Sequence, residues 1–495
     1  MNTGTKDRNQ DAGFEQRYEV LIVGAGISGI GAGIRLLDEG IRDFAILEKA
    51  EDLGGTWRDN TYPGCACDVP SALYSFSFSQ KHDWSRVFAG QQEILDYVRE
   101  TARAYGVESC IHFNRAVEQA HWDEENGHWV LDTPAGRYRG RFLISCSGYL
   151  HEPVIPDLPG LKDFPGTVFH SSRWNHEHDL SGERVAVIGT GASAIQFVPR
   201  IRPLAHSLSV YQRTPQWILP KPDSGMPEAG QALLKVPGTL KAWRSLLYGG
   251  FETFGIGFRH PALLEQLQKL ALAHLRHAVP DPHLRERLTP DYTLGCKRVL
   301  LSNDYYPALN EPNVELLATG VREVRGKVVV GADATEREVD TIILGTGFHV
   351  TEPPIAERVF DSRGRSLSGH WRDGMQAYRG TTIHGFPNLF MVLGPNLGIG
   401  HNSAFIVIEA QLDYIMSALR TARRRGFGRL EVRPDVQRRY NRRVQKDLQG
   451  SVWNTGGCSS YYLDRNGFNS VGFPWSTLAM RRLLKRFDSG AYFTR

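Results

Sequence analysis

The sequence predicts an α/β fold built from two Rossmann-like dinucleotide-binding domains with a helical insertion in the second. Two glycine-rich turns support this prediction, one in YEVLIVGAGISGIGAGIRLLDEG and one in RVAVIGTGASAIQFVPRI. Each turn follows a buried apolar run and precedes apolar residues at helical spacing. A third observation is the total of 51 glycines, which fits a protein with many strand-to-helix turns. We therefore expect two nucleotide sites in one chain.

Length and composition set the broad class. A chain of 495 residues is too long for one ordinary core, and 41% hydrophobic with 23% charged residues is typical of a globular protein. A net charge of +4 does not indicate a polyanionic partner, so nucleic acid is set aside. No uncharged apolar run reaches the ~18 residues of a membrane span, and residues 1–20 lack the apolar centre of a signal peptide. The predicted location is the cytoplasm.

The first nucleotide site is predicted at Gly24-x-Gly26-x-x-Gly29. The first glycine permits the tight turn, the second lets a pyrophosphate approach the backbone, and the third lets the helix pack on the strand. Glu48 ends the next strand 19 residues after Gly29, where a carboxylate can accept both ribose hydroxyls. This pattern favours a dinucleotide site over the alternative of a purely structural glycine turn. The carboxylate of Glu48 suits the unphosphorylated ribose of FAD.

The second site is predicted at Gly189-x-Gly191-x-x-Ala194, with Arg213 at the same 19-residue offset. A carboxylate there would repel a 2′-phosphate, whereas a guanidinium binds one through charge-assisted hydrogen bonds. The neighbouring Thr214 can donate to the same phosphate. The second nucleotide is therefore predicted to be NADPH rather than NADH. The alternative is that Arg213 is an ordinary surface charge at a strand end.

The changing pattern along the chain predicts the domain boundaries. VDTIILGTGF, at 339–348, is interpreted as a buried strand that returns the chain to the first domain, and 216–291 changes to amphipathic helices. The predicted units are a disordered leader at 1–17, an FAD domain at 18–150 and 339–495, an NADP domain at 151–215 and 292–338, and a helical insertion at 216–291.

The cysteines indicate a reducing compartment. The six thiols are scattered, and none has a zinc-ribbon or thioredoxin-type spacing. The pair Cys65-x-Cys67 is open to a redox or metal role, but an isolated pair is more often structural. No metal site is expected.

Several segments resemble one enzyme family. Phe164-x-Gly166-x-x-x-His170-x-x-x-Trp174 has the spacing of the fingerprint of the type I Baeyer-Villiger monooxygenases, relatives of the flavin-containing monooxygenases. Trp174 favours the ketone-oxidising branch over the N-hydroxylating one. Asn175 departs from the Pro or Asp that the family usually has there.

Three further segments extend the resemblance to about residues 18 to 480. GGTWRDNTYPGCACD, at 54–68, is similar to a second family motif, and CKRVLLSNDYYPALNEPNVEL, at 296–316, to the segment with adjacent Lys and Arg. GFPNLFMVLGPNLGIGHNS, at 385–403, resembles the segment that returns to the flavin domain. The C-terminal GCSSYYLDRNGFNSVGFPW is similar to a subgroup acting on linear, aryl or polycyclic ketones.

This resemblance implies an activity and a set of catalytic residues. The activity is NADPH- and O2-dependent insertion of one oxygen atom next to a ketone carbonyl, through a C4a-peroxyflavin and a tetrahedral adduct, to give an ester or lactone. Arg298 would stabilise the negative charge of both species, and Asp68 would orient Arg298. The spacing alone fits an alternative equally well, in which Arg298 is an exposed surface charge and Asp68 caps a turn. His170 would time a swing of the NADP domain, although a lone histidine is more often structural.

The turns and the resemblance together place a larger set of residues at FAD and NADPH. The set is Gly24, Gly26, Ser28, Gly29, Glu48, Gly55, Trp57, Cys67, Asp68, Tyr74, Val117, Gly189, Thr190, Gly191, Ser193, Ala194, Arg213, Thr214, Lys297 and Arg298. Of these, Trp57 and Tyr74 are equally well read as core aromatics.

Three other functions stay open at this point. They are an N- or S-oxygenating flavin monooxygenase, an NADPH-dependent flavoprotein reductase that would need a dithiol near the flavin, and a nucleotide sensor without turnover. The expected partners are a small-molecule ketone and dioxygen, and the expected state is a monomer or weak homo-oligomer.

Overall fold

The computed structural model of the chain describes residues 15–494. Its strands are β1 Glu15–Val23, β2 Phe44–Leu47, β3 Ile111–His112, β4 Gln119–Asp123, β5 His128–Thr133, β6 Gly136–Ser145, β7 Thr167–His170, β8 Arg184–Ile188, β9 Ser207–Tyr211, β10 Ile218–Leu219, β11 Leu300–Leu301, β12 Val314–Leu317, β13 Val321–Arg325, β14 Val328–Gly331, β15 Glu336–Glu338, β16 Thr341–Leu344, β17 Val359–Phe360, β18 Leu389–Met391, β19 Leu430–Val432 and β20 Tyr492–Thr494.

The helices alternate with these strands. They are α1 Ile27–Asp38, α2 Thr56–Asp59, α3 Gln91–Ala104, α4 Ala194–Ile201, α5 Glu228–Lys235, α6 Thr239–Arg259, α7 Glu265–Ala278, α8 Pro282–Leu288, α9 Tyr305–Leu309, α10 Leu367–His370, α11 Ala404–Arg425, α12 Pro434–Leu448, α13 Val452–Thr455 and α14 Thr477–Leu484. Within residues 15–494, none of them combines the length and the apolarity that crossing a membrane requires.

The first sheet has the order β17-β4-β5-β6-β1-β2-β3, with β18 also paired to β6. β1 pairs in parallel with both β2 and β6, because its apolar residues Val20, Leu21 and Ile22 are buried and fit between two neighbours. β4, β5 and β6 form an antiparallel meander. α1 and α11 share one hydrophobic core with β1. This is the first predicted Rossmann-like unit.

The second sheet is wholly parallel, with the order β12-β9-β8-β16-β7. It confirms the second Rossmann-like unit and corrects one predicted boundary. β16, which was assigned to the first domain, pairs with β7 and β8 in the middle of the second sheet. Its residues are at most 1% exposed. An apolar strand of this kind fits either sheet, so the sequence pattern does not reveal its neighbours.

Two other boundaries differ in detail. Residues 15–17, inside the predicted leader, belong to β1 because they pair with 137–139 of β6. The rest of that leader, 1–14, lies outside the described residues. The segment 216–291 contains the helices α5 to α8, and it also contains β10, which pairs with β11.

The chain crosses between the two sheets twice, and the two crossings lie side by side. The Val154 N–H donates to the Gly347 carbonyl at 2.9 Å and the His349 N–H to the Glu152 carbonyl at 3.2 Å. The Thr346 hydroxyl donates to the Val154 carbonyl at 2.6 Å. The two interdomain connections are therefore bonded to each other along their length.

Candidate active site

A groove that is open to solvent lies at the carboxyl ends of β1 and β2. Arg115 and Val117 line one part of it, and Tyr74, Ala404 and Ile408 line another. Eight of the predicted FAD residues line this groove: Gly24, Gly26, Ser28, Glu48, Gly55, Trp57, Tyr74 and Val117.

The turn into α1 is shaped for a phosphate. Gly24 has a φ of +99°, which L side chains rarely adopt. A Cβ on Gly29 would lie 1.8 Å from the Gly24 carbonyl oxygen, so only glycine lets the helix pack this closely. No side chain caps the N-terminus of α1. Its first N–H groups therefore face the groove without a side-chain partner, which fits a pyrophosphate.

Glu48 is 4% exposed, and its carboxylate accepts hydrogen bonds from three residues around the groove. One of its oxygens accepts from the Ala25 N–H at 2.8 Å. The other accepts from the Ala50 N–H at 3.1 Å and from Arg58 Nη1 at 3.0 Å. A carboxylate has about four lone-pair sites, so acceptor capacity remains for a ribose hydroxyl. Arg58 was not predicted, because its role depends on α2 folding back over Glu48.

Trp57 and Tyr74 are both core aromatics and groove residues. Trp57 Nε1 donates to the Tyr74 hydroxyl at 3.1 Å, and Tyr74 packs edge-on against Phe405 at 5.0 Å between ring centroids. Burial raises the pKa of Tyr74 well above its usual range, so the phenol stays neutral. The two alternatives from the sequence are therefore not exclusive.

Arg298 and Asp68 form a bidentate ion pair, although 230 residues separate them. Arg298 Nε and Nη2 each donate to one Asp68 oxygen at 2.7 Å. Burial alone would raise the pKa of Asp68, but the charge and hydrogen bonds of Arg298 hold that pKa below its usual range. Asp68 in turn raises the pKa of Arg298 well above its usual range. The side chains are 34% and 26% exposed, so the pair is partly accessible.

The segment 54–68 joins both nucleotide domains. Gly55 and Trp57 line the groove, whereas Tyr62 is buried in the core of the second domain. The Tyr62 hydroxyl donates to Gln196 of α4 at 3.1 Å, and Gln196 Nε2 donates to the Ala66 carbonyl at 3.0 Å. The segment then ends at Asp68. Gln196 was missed because it is an ordinary polar residue in the helical pattern.

The second glycine turn is packed differently at its first and second glycines. A Cβ on Gly189 would lie 2.4 Å from the Gly345 carbonyl oxygen, whereas a Cβ on Gly191 would meet nothing within 4 Å. Thr190 and Ala194 are buried, and Ser193 precedes α4 without capping it. The turn therefore packs tightly at its first position and leaves room at its second, as a phosphate requires.

Two cations, Lys297 and Arg213, are near enough for the charge of one to act on the other. Burial and the positive charge of Arg213 lower the pKa of Lys297. Lys297 Nζ lies 5.1 Å from the centroid of the Tyr292 ring, which holds the ammonium in place. Arg213 follows β9, is exposed and is adjacent to Thr214. Like charges this close favour a bound anion, which fits a 2′-phosphate.

Packing explains the spacing of the segment 164–174. A Cβ on Gly166 would lie 2.1 Å from the Asp340 carbonyl oxygen and against the Phe164 ring. Trp174 packs on Phe169 and on Phe197 of α4, at 5.1 and 5.3 Å between ring centroids. These contacts fix the edge strand β7 and attach it to the nucleotide helix.

His170 does not line the FAD groove, and its assignment as a catalytic residue stays a prediction. It is 3% exposed and lies at the end of β7. Its Nδ1 accepts from the Ser172 N–H at 3.1 Å, and its ring packs edge-on against Phe348 in the second crossing at 5.7 Å. Burial lowers its pKa to about 4, so the ring is neutral at physiological pH.

One pair of cysteines forms a disulfide, although the sequence indicated a reducing compartment. Cys296 and Cys458 form a disulfide across 162 residues, a separation at which no sequence spacing indicates pairing. It fixes the residue before Lys297 to the loop that carries Tyr461 and Tyr462, whose rings stack at 4.7 Å.

The other four cysteines are free. Burial raises the pKa of Cys65 to about 12 and that of Cys67 further, so neither is a ready thiolate. Cys67 is buried and does not line the groove. Across residues 15–494, no group of three or more His, Cys, Asp or Glu side chains is arranged to hold a metal ion.

The chain is similar to known monooxygenases over nearly all of its length. It matches the family model described as flavin-binding monooxygenase-like over residues 17–232. It is 48% identical over 488 residues to a Baeyer-Villiger monooxygenase of Streptomyces coelicolor, covering 97% of this chain and 94% of the relative. A Baeyer-Villiger monooxygenase of Pseudomonas aeruginosa is 46% identical over 478 residues, with 96% and 91% covered.

Solved structures give the same result. Cyclohexanone monooxygenase from a Rhodococcus species, bound to NADP+, superimposes with a TM-score of 0.86 at 26% identity, covering 97% of this chain and 100% of that one. An oxidised steroid monooxygenase bound to NADP has a TM-score of 0.83 at 28% identity, with 95% and 97% covered.

Proposed function

The chain belongs to the Baeyer-Villiger monooxygenase family, and from this membership we propose that it converts a ketone into an ester or lactone with NADPH and dioxygen. FAD is the cofactor of the groove, where it would accept hydride from NADPH and activate dioxygen. The single observation that carries the proposal is the Arg298–Asp68 pair, which presents a fixed positive charge at the junction of the two nucleotide domains.

The chain's own residues hold the two nucleotides. The uncapped N-terminus of α1 and the carboxylate of Glu48 bind the adenosine diphosphate half of FAD. Gly191 and the uncapped N-terminus of α4 bind the NADPH pyrophosphate, while Arg213, Thr214 and Lys297 bind the 2′-phosphate. On this basis the FAD domain comprises the first sheet, and the NADP domain comprises the second sheet with its insertion.

Arg298 has two tasks in this mechanism. Its guanidinium stays protonated throughout, so it can stabilise the negative charge on the attacking oxygen and then on the ketone oxygen. Asp68 engages Nε and one Nη, which fixes the plane of the guanidinium and leaves the other Nη free to donate. Asp68 is therefore a positioning residue.

His170 and the two crossings position the NADP domain. The neutral His170 ring supports Phe348 at the point where the crossings are bonded to each other. A rotation of the NADP domain about these crossings would bring NADPH to the groove and remove its nicotinamide again.

The other functions receive less support. A flavoprotein reductase needs an accessible, low-pKa dithiol, and burial gives Cys65 and Cys67 the opposite property. A sensor without turnover has no use for the Arg298–Asp68 pair. An N- or S-oxygenating enzyme needs a protonated, electrophilic oxidant, which a permanent cation beside it disfavours.

Stoichiometry tests the proposal. The holoenzyme should consume NADPH and dioxygen one to one with a ketone and release one ester or lactone, identified by mass spectrometry. Products from amines or sulfides alone would favour the N- or S-oxygenating alternative, and NADPH oxidation without an oxygenated product would reject both.

We expect Arg213→Ala to narrow the preference for NADPH over NADH. Removing a charge-assisted hydrogen bond to the 2′-phosphate should lower kcat/KM for NADPH by about 10- to 100-fold, with that for NADH within a few-fold. Arg200→Ala is the matched control. Arg200 lies in the last turn of α4, is exposed and pairs with Asp304. An unchanged NADPH to NADH ratio would show that Arg213 is only a surface charge.

The cytoplasmic location and the monomeric or weakly associated state stay predictions. The Cys296–Cys458 bond bears on the first, because reducing compartments normally keep such thiols free. Cell fractionation with thiol alkylation before lysis would settle both the location and the redox state of this pair.

A further inference from the structure

A cleft lined by cations lies between α12 and α14. It is open to solvent and has a volume of about 610 Å³, within the range of small-molecule sites. Among the described residues, none lines both this cleft and the FAD groove. Five of its side chains are cations: Arg379, Arg443, Arg482, Lys485 and Arg486. We call it the basic cleft.

The cations of the basic cleft outnumber the carboxylates that pair with them. Arg379 lies 2.8 Å from Asp488, and Arg443 lies 3.8 Å from Asp447. Across residues 15–494, these two are the ion pairs that the five cations make with carboxylates. The cations without such a partner are exposed: Arg482, Lys485 and Arg486. Five cations against two carboxylates leave an excess of three positive charges, which favours a bound anion.

Arg379 is held in place at the basic cleft. Its Nη2 donates to Asp488 at 2.8 Å, and its Nη1 donates to the Leu483 carbonyl at 2.6 Å. The guanidinium carbon lies 5.1 and 5.3 Å from the ring centroids of Tyr378 and Tyr414. Its backbone φ is +52°, a conformation that residues with a side chain rarely adopt. The fold therefore fixes this cation at the basic cleft instead of letting it extend into water.

Two donors of the basic cleft have no acceptor. Within the described part of the chain, Arg379 Nε and the Tyr440 hydroxyl are buried and make no hydrogen bond. Burial raises the pKa of Tyr440, so the hydroxyl keeps its proton. Buried donors without a partner are rare and costly in folded proteins. Both side chains line the basic cleft, so an oxyanion at its floor would supply the missing acceptors.

Trp475 forms an aromatic wall that leaves Arg443 available to a ligand. The guanidinium carbon of Arg443 lies 5.1 Å from the centroid of the Trp475 ring. Trp475 Nε1 donates to Asp447 at 2.8 Å, so the carboxylate nearest to Arg443 is already engaged. Trp475 also packs edge-on against Tyr440, at 6.3 Å between ring centroids.

We propose that the basic cleft binds a compound with two or three linked phosphate groups, at a site separate from FAD and NADPH. The three or four negative charges of such a group match the excess of three cations, whereas a chloride or a carboxylate neutralises only one. Guanidinium groups also bind phosphate oxygens through paired, charge-assisted hydrogen bonds. Inorganic triphosphate and the triphosphate of a nucleotide share this chemistry. The inference goes beyond the proposed ketone oxidation and does not depend on it.

Calorimetry on the FAD-loaded enzyme with saturating NADP+ tests the inference, because both nucleotide sites are then filled. At about 150 mM salt, inorganic triphosphate should bind at one site with a Kd on the order of 10 to 100 µM. Sulfate at equal ionic strength should bind at least about tenfold more weakly, because it carries fewer charges. ATP that binds as tightly as triphosphate would assign the basic cleft to phosphate groups alone. Tighter binding of ATP would add contacts to the nucleoside, and both results support the proposal.

The double variant Arg482→Ala/Arg486→Ala should weaken triphosphate binding by about tenfold or more. Its matched control is Arg424→Ala/Arg425→Ala, which removes two exposed arginines from the last turn of α11, outside the basic cleft. The control should bind triphosphate normally. Both double variants should form ester at the normal rate, because neither touches the FAD groove.

Tyr440→Phe separates a ligand contact from a structural role. The hydroxyl has no partner among residues 15–494, so its removal should leave Tm unchanged or raise it. Triphosphate binding should nevertheless weaken by about tenfold. A loss of Tm with unchanged triphosphate binding would remove Tyr440 from the proposed site.

Three results would overturn the proposal. The first is triphosphate binding no tighter than that of sulfate, and the second is an equal loss in the α11 control, which would indicate a non-specific charge effect. The third is binding to phosphatidylglycerol vesicles without binding of triphosphate, which would make the basic cleft a membrane contact instead.

Discussion

Arg298→Ala is expected to lower ester formation by about 100- to 1000-fold, while NADPH still bleaches the flavin absorbance under anaerobic conditions. Removing one fixed donor to a developing oxyanion typically costs this much. The adjacent Lys297 cannot replace Arg298 without new geometry, because it lies over the Tyr292 ring and within the influence of the Arg213 charge. The measurement is ester per NADPH consumed, together with released hydrogen peroxide.

Two further variants sharpen this experiment. Arg298→Lys should restore little activity, because an ammonium does not reproduce the two parallel bonds to Asp68. Arg322→Ala, which removes an exposed arginine paired with Glu323, should leave the ester yield unchanged. Near-normal ester yields from a folded, flavin-containing Arg298→Ala variant would remove Arg298 from the mechanism.

Gly29→Ala is expected to abolish FAD binding. The added methyl group would lie 1.8 Å from the Gly24 carbonyl oxygen, so α1 must move away from the turn that holds the pyrophosphate. The neighbouring atom is backbone, which cannot swing aside as a side chain can. We expect purified protein with less than about a tenth of the normal flavin, and a free energy of unfolding lower by several kcal/mol.

Gly249→Ala is the matched control for that change. Gly249 lies on an exposed face of α6, and a Cβ there meets nothing within 4 Å. Replacing a helical glycine by alanine should stabilise the protein by up to about 1 kcal/mol. Full flavin content in Gly29→Ala would mean that the turn tolerates a displaced helix.

The two nucleotide units were predictable because the glycine turns depend on local sequence. Gly24 and Gly189 need backbone freedom, and each is followed by a helix and a strand in order. The placement of β16 was not predictable, because a strand buried on both faces carries no mark of its neighbours.

Some contacts between residues distant in sequence were predictable and others were not. Family resemblance placed Asp68 near Arg298, and the structure brings them within hydrogen-bond distance. Nothing in the sequence pairs Cys296 with Cys458, or Gln196 with the backbone of Ala66, because these contacts exist only once both domains are folded. His170 belongs to a recognisable motif, but the motif does not indicate whether the side chain faces the FAD groove or the connection between the two sheets.

The paired crossings make the second domain an insertion whose two ends meet. The chain leaves the first sheet near Val154 and re-enters near Gly347, at positions already bonded to each other. Such an arrangement suits the exchange of whole modules, because both ends of a graft join the chain at one place. A chimera that replaces residues 155–346 with a homologous module would inherit the donor's nicotinamide specificity. It would have to keep partners for His401, which Glu252 of α6 contacts at 3.1 Å, and for Cys458.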